Sequence, residues 1–148
     1  MDEDIKEEAD RVKQSDPALM PVRAETVRKT FGNVVAVQNV SFGLEYGECF
    51  ALLGVSGAGK TTTFKCLTGE LYPSQGRLTI NGHDVTTSAG FNKARKMIGY
   101  CPQFDAIFEG VTVKEHLEIY AALKGIKASL RARLIDKAIR DMDLTDYT

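Results

Sequence analysis

The chain has 148 residues, of which 43% are hydrophobic and 26% charged, a composition typical of a soluble globular domain. Its net charge of -1 provides no basic excess for nucleic acid, so we expect no nucleic-acid partner. The three cysteines lack CxxC spacing. This argues against a zinc site and favours free thiols, in a reducing compartment, that are buried as small hydrophobic side chains.

Residues 1–21 are predicted to be a charged, solvated linker. The stretch contains seven acidic residues and ends in the helix breakers Pro17 and Pro21, and such charged segments usually remain in solvent. The start, Met1 to Asp10, lacks the basic and apolar regions of a signal peptide. The apolar run Cys49 to Val55 is far too short to cross a membrane, so we expect no transmembrane segment in this chain. Residues 22–148 are expected to form the folded part.

The folded part begins with apolar patterns typical of strands. Loose alternation predicts strands over Val22 to Thr30 and over Val34 to Leu44. The continuous apolar run Cys49 to Leu53 is typical of a strand that is buried on both faces. Two shorter strands are predicted over Leu78 to Ile80 and Ile98 to Tyr100.

The sequence also predicts three helices. The first covers Lys60 to Thr68, and Gly69 is its C-terminal stop. A capping box of Thr112 and Glu115 begins the second, whose apolar face consists of Val113, Leu117, Tyr120 and Ala121. The third has an apolar stripe made of Leu130, Leu134, Ala138 and Met142.

The segment between the apolar run and the first predicted helix carries the chemistry. Gly54-Val55-Ser56-Gly57-Ala58-Gly59-Lys60-Thr61 fits the pattern G-x-x-x-x-G-K-[ST]. Its small residues let backbone N–H groups surround phosphate oxygens, and the helix points its positive end at the same anion. Lys60 adds a full positive charge for the β- and γ-phosphates, and Thr61 offers a hydroxyl to Mg²⁺. The sequence therefore predicts a nucleotide site.

The loop alone does not distinguish among P-loop enzymes. Guanine-specific members carry D-x-x-G and N-K-x-D elements, and we find neither in this chain. Asn92-Lys93-Ala94-Arg95 lacks the final aspartate. This argues against guanine specificity.

Three further segments resemble the ATPase domains of ABC transporters. Gly47 to Gly54 enters the loop as in that family, Arg28 to Gly32 is similar to its adenine-stacking segment, and Ile98 to Gln103 resembles its Q-loop segment. The resemblance implies that Phe31 stacks on adenine. It also implies that Gln103 contacts Mg²⁺ and the attacking water, and that its loop touches the membrane domains. Residues 61–69 and 100–106 look most like the A subfamily, whose members are mostly lipid exporters.

The resemblance implies an α/β fold of the P-loop NTPase class, with a RecA-like core, an antiparallel β-subdomain and the start of a helical subdomain. The expected catalytic residues are Lys60 and Gln103, and the expected Mg²⁺ ligands are Thr61 and Gln103. The expected ATP contacts come from Phe31, Gly54, Val55, Ser56, Gly57, Ala58, Gly59, Lys60, Thr61 and Thr62. The implied partners are a second ABC ATPase domain and the transmembrane domains of a transporter, on the cytoplasmic face of a membrane.

The resemblance also implies that the fold is truncated. The family's signature segment, second acidic strand, catalytic glutamate and switch histidine are expected after residue 148, and neither His83 nor His116 matches the switch position. We therefore expect the chain to bind ATP without turning it over. Without the acidic strand, Cys49 to Leu53 is expected to expose an apolar edge and make the isolated chain prone to aggregation.

Two other functions remain open at this point. One is a soluble ABC protein of translation or repair that works without a membrane domain, although the acidic lead-in and the A-subfamily-like segments disfavour it. The other is a nucleotide-binding module without catalysis. Membrane spans in the full-length gene would exclude the first, and a turnover assay would test the second.

Overall fold

The computed structural model describes residues 3–148. It divides into two compact units, one that ends at Tyr100 and one that comprises Cys101–Thr148. The elements of the first unit are α1 (Glu3–Gln14), β1 (Val22–Phe31), β2 (Val34–Leu44), α2 (Lys60–Leu67), β3 (Gln75–Ile80), β4 (His83–Asp84) and α3 (Ser88–Ala94). Those of the second unit are α4 (Val113–Leu123), α5 (Ala128–Asp141) and a 3-10 turn at Thr145–Tyr147.

The first unit is built on an antiparallel sheet with the strand order β2-β1-β3-β4. β1 and β2 form a hairpin in which Phe31 lies opposite Val34 and Lys29 lies opposite Val37. One face of the sheet packs on α2 and α3, and the buried core contains Ala24, Val27, Val37, Phe42, Cys66, Leu78, Ile80, Val85 and Ala94. The strands predicted over Val22 to Thr30 and over Val34 to Leu44 are confirmed as β1 and β2.

The loop-entry segment, residues 49–53, is not the buried strand that its apolar sequence predicted. It forms no strand, and no strand among the described residues pairs with it. Leu53 is 87% exposed, and Phe50 has one partner ring, Phe42, at a centroid distance of 5.2 Å. Residues 98–100 likewise form no strand. Both predictions were wrong because a short apolar run becomes a strand only when another strand supplies hydrogen bonds.

The lead-in was expected to be solvated, but residues 3–14 form the helix α1, which packs on the sheet. Val12 is 0% exposed and Met20 is 2% exposed, so both side chains lie in the interior. Gly43 of β2 makes this approach possible, since a Cβ there would lie 2.5 Å from the Met20 sulfur and 3.2 Å from a Val12 methyl carbon. The acidic composition did not predict a packed helix, because Val12 is the one residue of α1 that is buried.

The second unit consists mainly of α4 and α5. The predicted capping box is present, with Thr112 and Glu115 each accepting from the other's backbone N–H. The apolar stripe of α5 was wrong by about one position. Ile135 and Ile139 pack on Ala121 of α4, whereas Leu130, Leu134 and Met142 are exposed.

The prediction of three buried cysteines holds for Cys66 alone. Cys49 and Cys101 are exposed, because the segments that carry them lack a covering element among the described residues. No helix in residues 3–148 is both long enough and apolar enough to cross a membrane.

Candidate phosphate-binding site

The turn that joins the loop-entry segment to α2 is shaped by glycine. Gly57 and Gly59 adopt φ values of 82° and 88°, which L side chains rarely reach. A Cβ on Gly59 would lie 2.3 Å from the Ala36 carbonyl oxygen and 3.2 Å from a Val37 methyl carbon of β2. The last residue of the turn therefore needs glycine for both its conformation and its contact with the sheet.

Lys60 folds back over the beginning of this turn. Its ammonium donates to the carbonyl oxygens of Gly54 at 2.7 Å and Val55 at 2.8 Å. These two bonds hold a full positive charge at the beginning of the turn. Because the bonded groups are neutral and exposed, an incoming phosphate oxygen competes for the same ammonium protons with stronger, charge-assisted hydrogen bonds.

The first turn of α2 points unpaired donors towards the same place. The N–H groups in the first turn of any helix have no intrahelical acceptors. In α2 the N-cap residue is Gly59, and no side chain caps the helix in their place. The Thr63 hydroxyl donates to the Gly59 carbonyl at 3.0 Å, which fixes the turn to the helix. Thr61 is exposed and Thr62 half-buried, which leaves the Thr61 hydroxyl accessible to a ligand.

These features fit a polyphosphate. Backbone N–H groups, a helix N-terminus and one ammonium form a set of donors with no carboxylate among them, which suits an anion. In addition, burial raises the pKa of the Cys66 thiol in the last turn of α2, so this side chain adds no negative charge. The hydroxyl of Thr61 is an oxygen ligand of the kind that Mg²⁺ prefers.

Phe31 lies on the same hairpin that supports the loop. It ends β1 opposite Val34, while Gly59 meets β2 at Ala36 and Val37. The two contacts are therefore separated by only two or three residues of one strand, about 7–10 Å at the usual rise. The ring is 48% exposed, and the Lys29 ammonium lies 5.1 Å from its centroid. Lys29 was not predicted as a site residue, although its i, i+2 spacing from Phe31 predicts a common strand face.

Gln103, the other expected catalytic residue, lies in the second unit in an exposed loop. Two side chains of α4 bind this loop further along: the Tyr120 hydroxyl donates to the Ala106 carbonyl at 3.3 Å, and His116 Nε2 accepts from the Phe108 N–H at 3.0 Å. His116 also packs against the Phe108 and Tyr120 rings.

Comparison with known proteins places this geometry in a family. Residues 37–148 match the profile of the family described as ABC transporter. The chain is 39% identical to human "ATP-binding cassette sub-family A member 2" over 99% of its length. It is 40% identical to mouse "Glucosylceramide transporter ABCA12" and 38% identical to human "Retinal-specific phospholipid-transporting ATPase ABCA4", again over 99% of its length. The chain spans 6% of each of these relatives.

Solved structures agree on the fold. An ATP-binding subunit of an ABC transporter superposes with a TM-score of 0.73 at 27% identity, covering 85% of this chain and 52% of that one. A dimeric ATP-binding cassette bound to ADP and phosphate superposes with a TM-score of 0.67 at 22% identity, covering 80% of this chain and 56% of that one. The predicted P-loop NTPase fold is thereby confirmed.

Proposed function

The chain belongs to the ABC transporter family and is most similar to its A subfamily, and from this premise we propose that it binds MgATP and contributes to ATP-driven transport, with lipid as the substrate class. The observation that carries the proposal is the Lys60 ammonium, held over a glycine turn by the carbonyls of Gly54 and Val55. It lies beside the uncapped first turn of α2.

In this proposal the triphosphate is bound by charge and by backbone donors. Lys60 transfers its hydrogen bonds from the two carbonyls to phosphate oxygens, while Gly54 to Gly59 and the first turn of α2 donate backbone N–H groups. Thr61 supplies a hydroxyl to Mg²⁺, and Thr62 lies one residue further along α2. Mg²⁺ would neutralise charge on the phosphates when bound. Phe31 presents its exposed face to adenine.

The wider setting follows from the relatives. The names of two of them describe transport of glucosylceramide and of phospholipid, and one structural neighbour is a dimer. We propose that this chain is part of a lipid transporter, on the cytoplasmic face of its membrane. Its partners would be a second ATPase domain and the transmembrane domains. Gln103 would contact Mg²⁺ and the attacking water, and its exposed loop would contact the transmembrane domains.

Replacement of Lys60 tests the proposal. We expect Lys60→Ala to weaken binding of a fluorescent ATP analogue by about 10- to 100-fold, the value of losing one hydrogen-bonded charge. Titration by fluorescence anisotropy in the presence of Mg²⁺ measures the dissociation constant. Thermal unfolding of the same sample shows whether the variant is folded.

Lys65→Ala is the matched control, because Lys65 lies on the same helix and pairs with Glu70 at the surface, at 3.6 Å. It removes the same charge and should leave the dissociation constant within about twofold, as expected for a surface ion pair. Equal affinity of Lys60→Ala and the unmodified protein would contradict the proposal. So would an equal loss in both lysine variants.

A further inference from the structure

We infer that Lys29 is a positioning residue for the nucleobase: it holds one face of the Phe31 ring and so leaves the opposite face as the stacking surface. The inference deepens the proposed function and rests on it, since a base is expected at Phe31 only if the loop binds a nucleotide.

The first support is the contact itself. The Lys29 ammonium lies 5.1 Å from the centroid of the Phe31 ring, within the range in which a cation is attracted to an aromatic face. The same ammonium donates to the Tyr72 carbonyl oxygen at 2.7 Å. A lysine on a surface strand is usually mobile, but this one is held at both sides, by a ring and by a backbone acceptor.

The second support is the way in which the end of β1 is fixed. The Thr30 N–H donates to the Ser74 hydroxyl at 3.1 Å, and the Ser74 N–H donates to the Arg28 carbonyl at 2.7 Å. These bonds, together with that of Lys29 to Tyr72, tie the strand end to residues 72–74, the connection from α2 to β3. The backbone that carries Phe31 is therefore anchored to the connection that follows α2.

A fixed ring has a direct consequence for binding. Stacking on a mobile phenyl ring requires that its side-chain rotation be lost on binding, whereas a ring that is already restrained costs less. With an ammonium over one face, a planar base has access to the other face only. Lys29 should therefore strengthen the part of the affinity that comes from the base and leave the part from the phosphates unchanged.

The register of the hairpin suggests one competing role. Lys29 lies opposite Val37, which adjoins Gly59 of the phosphate loop. A lysine near this loop could instead bind phosphate directly. The two roles differ in a measurable way, because inorganic tripolyphosphate has the phosphates of ATP but no base.

The experiment measures the affinity of the intact protein for MgATP and for magnesium tripolyphosphate by displacement of a fluorescent nucleotide. Lys29→Met removes the charge and keeps the length of the side chain. It should weaken ATP binding by about two- to fivefold, the value of one exposed cation–π contact, with tripolyphosphate affinity unchanged. Lys29→Arg keeps a cation over the ring and should restore ATP binding.

Lys93→Met is the control for loss of one positive charge, since Lys93 is exposed on α3. It should change neither affinity. Equal weakening of ATP and tripolyphosphate by Lys29→Met would overturn the inference and assign Lys29 to the phosphates or to the fold. Unchanged ATP affinity would overturn it as well. Failure of the proposed function looks different, because Lys60→Ala would then bind as tightly as the unmodified protein.

Discussion

Two regions of the first unit show opposite relations between sequence and burial. The helix α1 is rich in charge, yet it places Val12 in the interior, at 0% exposure. The loop-entry segment, residues 49–53, is apolar, yet Leu53 is 87% exposed. Hydropathy alone would place α1 in solvent and residues 49–53 in the interior. The difference teaches that a segment is buried by the partner available to it, and its composition only makes burial more or less favourable.

α1 is held because it satisfies the free edge of the sheet. Glu8 accepts from the Gly43 N–H at 3.0 Å, and Arg11 donates to the Gly43 carbonyl at 2.6 Å. The two side chains thus supply Gly43 of β2 with the two hydrogen bonds that a neighbouring strand would otherwise make. A third bond joins α1 to β1, because the buried guanidinium of Arg23 donates to the Val12 carbonyl at 2.6 Å.

The loop-entry segment has no equivalent partner among residues 3–148. Its one ring contact, Phe50 on Phe42 with planes 9° apart, fixes a single side chain. The backbone has no ladder of hydrogen bonds to a neighbouring strand. It follows that substitutions in α1 should alter stability more than comparable substitutions in this segment.

The largest effect is expected for Val12→Asp. Val12 is fully buried, so a carboxylate at this position would have to lose its hydration, which costs about 3–5 kcal/mol of stability. Urea unfolding followed by circular dichroism gives the change in free energy. Ile5→Asp is the matched control on the same helix, since Ile5 is 48% exposed, and should stay within about 0.5 kcal/mol. Equal destabilisation by both variants would show that α1 is not docked through Val12.

A smaller, pH-dependent effect is expected for Glu8→Gln. The hydrogen bonds from Arg11, together with the bond from the Gly43 N–H, hold the pKa of the Glu8 carboxyl below its ordinary value. A lowered folded-state pKa means that the stabilisation is present above the unfolded pKa, about 4.3, and is lost as the pH falls through the folded value. Glu8→Gln should cost about 0.5–1 kcal/mol at pH 7 and flatten this acid dependence.

Unfolding measured between pH 7 and pH 3 tests the effect of Glu8. Glu7→Gln, on an exposed neighbouring side chain of α1, should keep the full pH dependence of the unmodified chain. If Glu8→Gln kept it too, the carboxylate of Glu8 would not be the group that titrates.

The smallest effect on stability is expected for Leu53→Ser in this chain. Because the side chain is already exposed, the free energy of unfolding should change by no more than about 0.5 kcal/mol. Self-association should fall, since an exposed apolar segment with free backbone groups favours aggregation. Light scattering and urea unfolding measure the two quantities.

Leu78→Ser is the matched control for this substitution. Leu78 is 0% exposed in the core, so the same chemical change should cost several kcal/mol, at least about 2 kcal/mol. Similar costs at the two positions would mean that Leu53 is covered in solution. The comparison between α1 and the loop-entry segment would then no longer hold.

Several elements followed from the sequence because their causes are local. β1, β2 and α2 were predicted almost to the residue from alternation and from the stop at Gly69. The capping box that begins α4 was equally clear, since both partners lie within one turn. α3 and β4 were not predicted, because each is short and depends on a neighbour. The apolar stripe of α5 failed because both Leu134 and Ile135 are apolar, and only packing on α4 selects Ile135.

The sequence by itself determined the phosphate loop, since glycine conformation, the lysine charge and the helix start depend on consecutive residues. It also determined the family, through motifs that consist of short runs. Tertiary structure alone decided that α1 covers the edge of β2 at Gly43, that residues 49–53 lie exposed, and that the Lys29 ammonium donates to the Tyr72 carbonyl. These outcomes depend on partners distant in the chain, such as Gly43 for α1 and Tyr72 for Lys29. Local pattern carries no information about which distant group will complete a hydrogen bond or cover an apolar face.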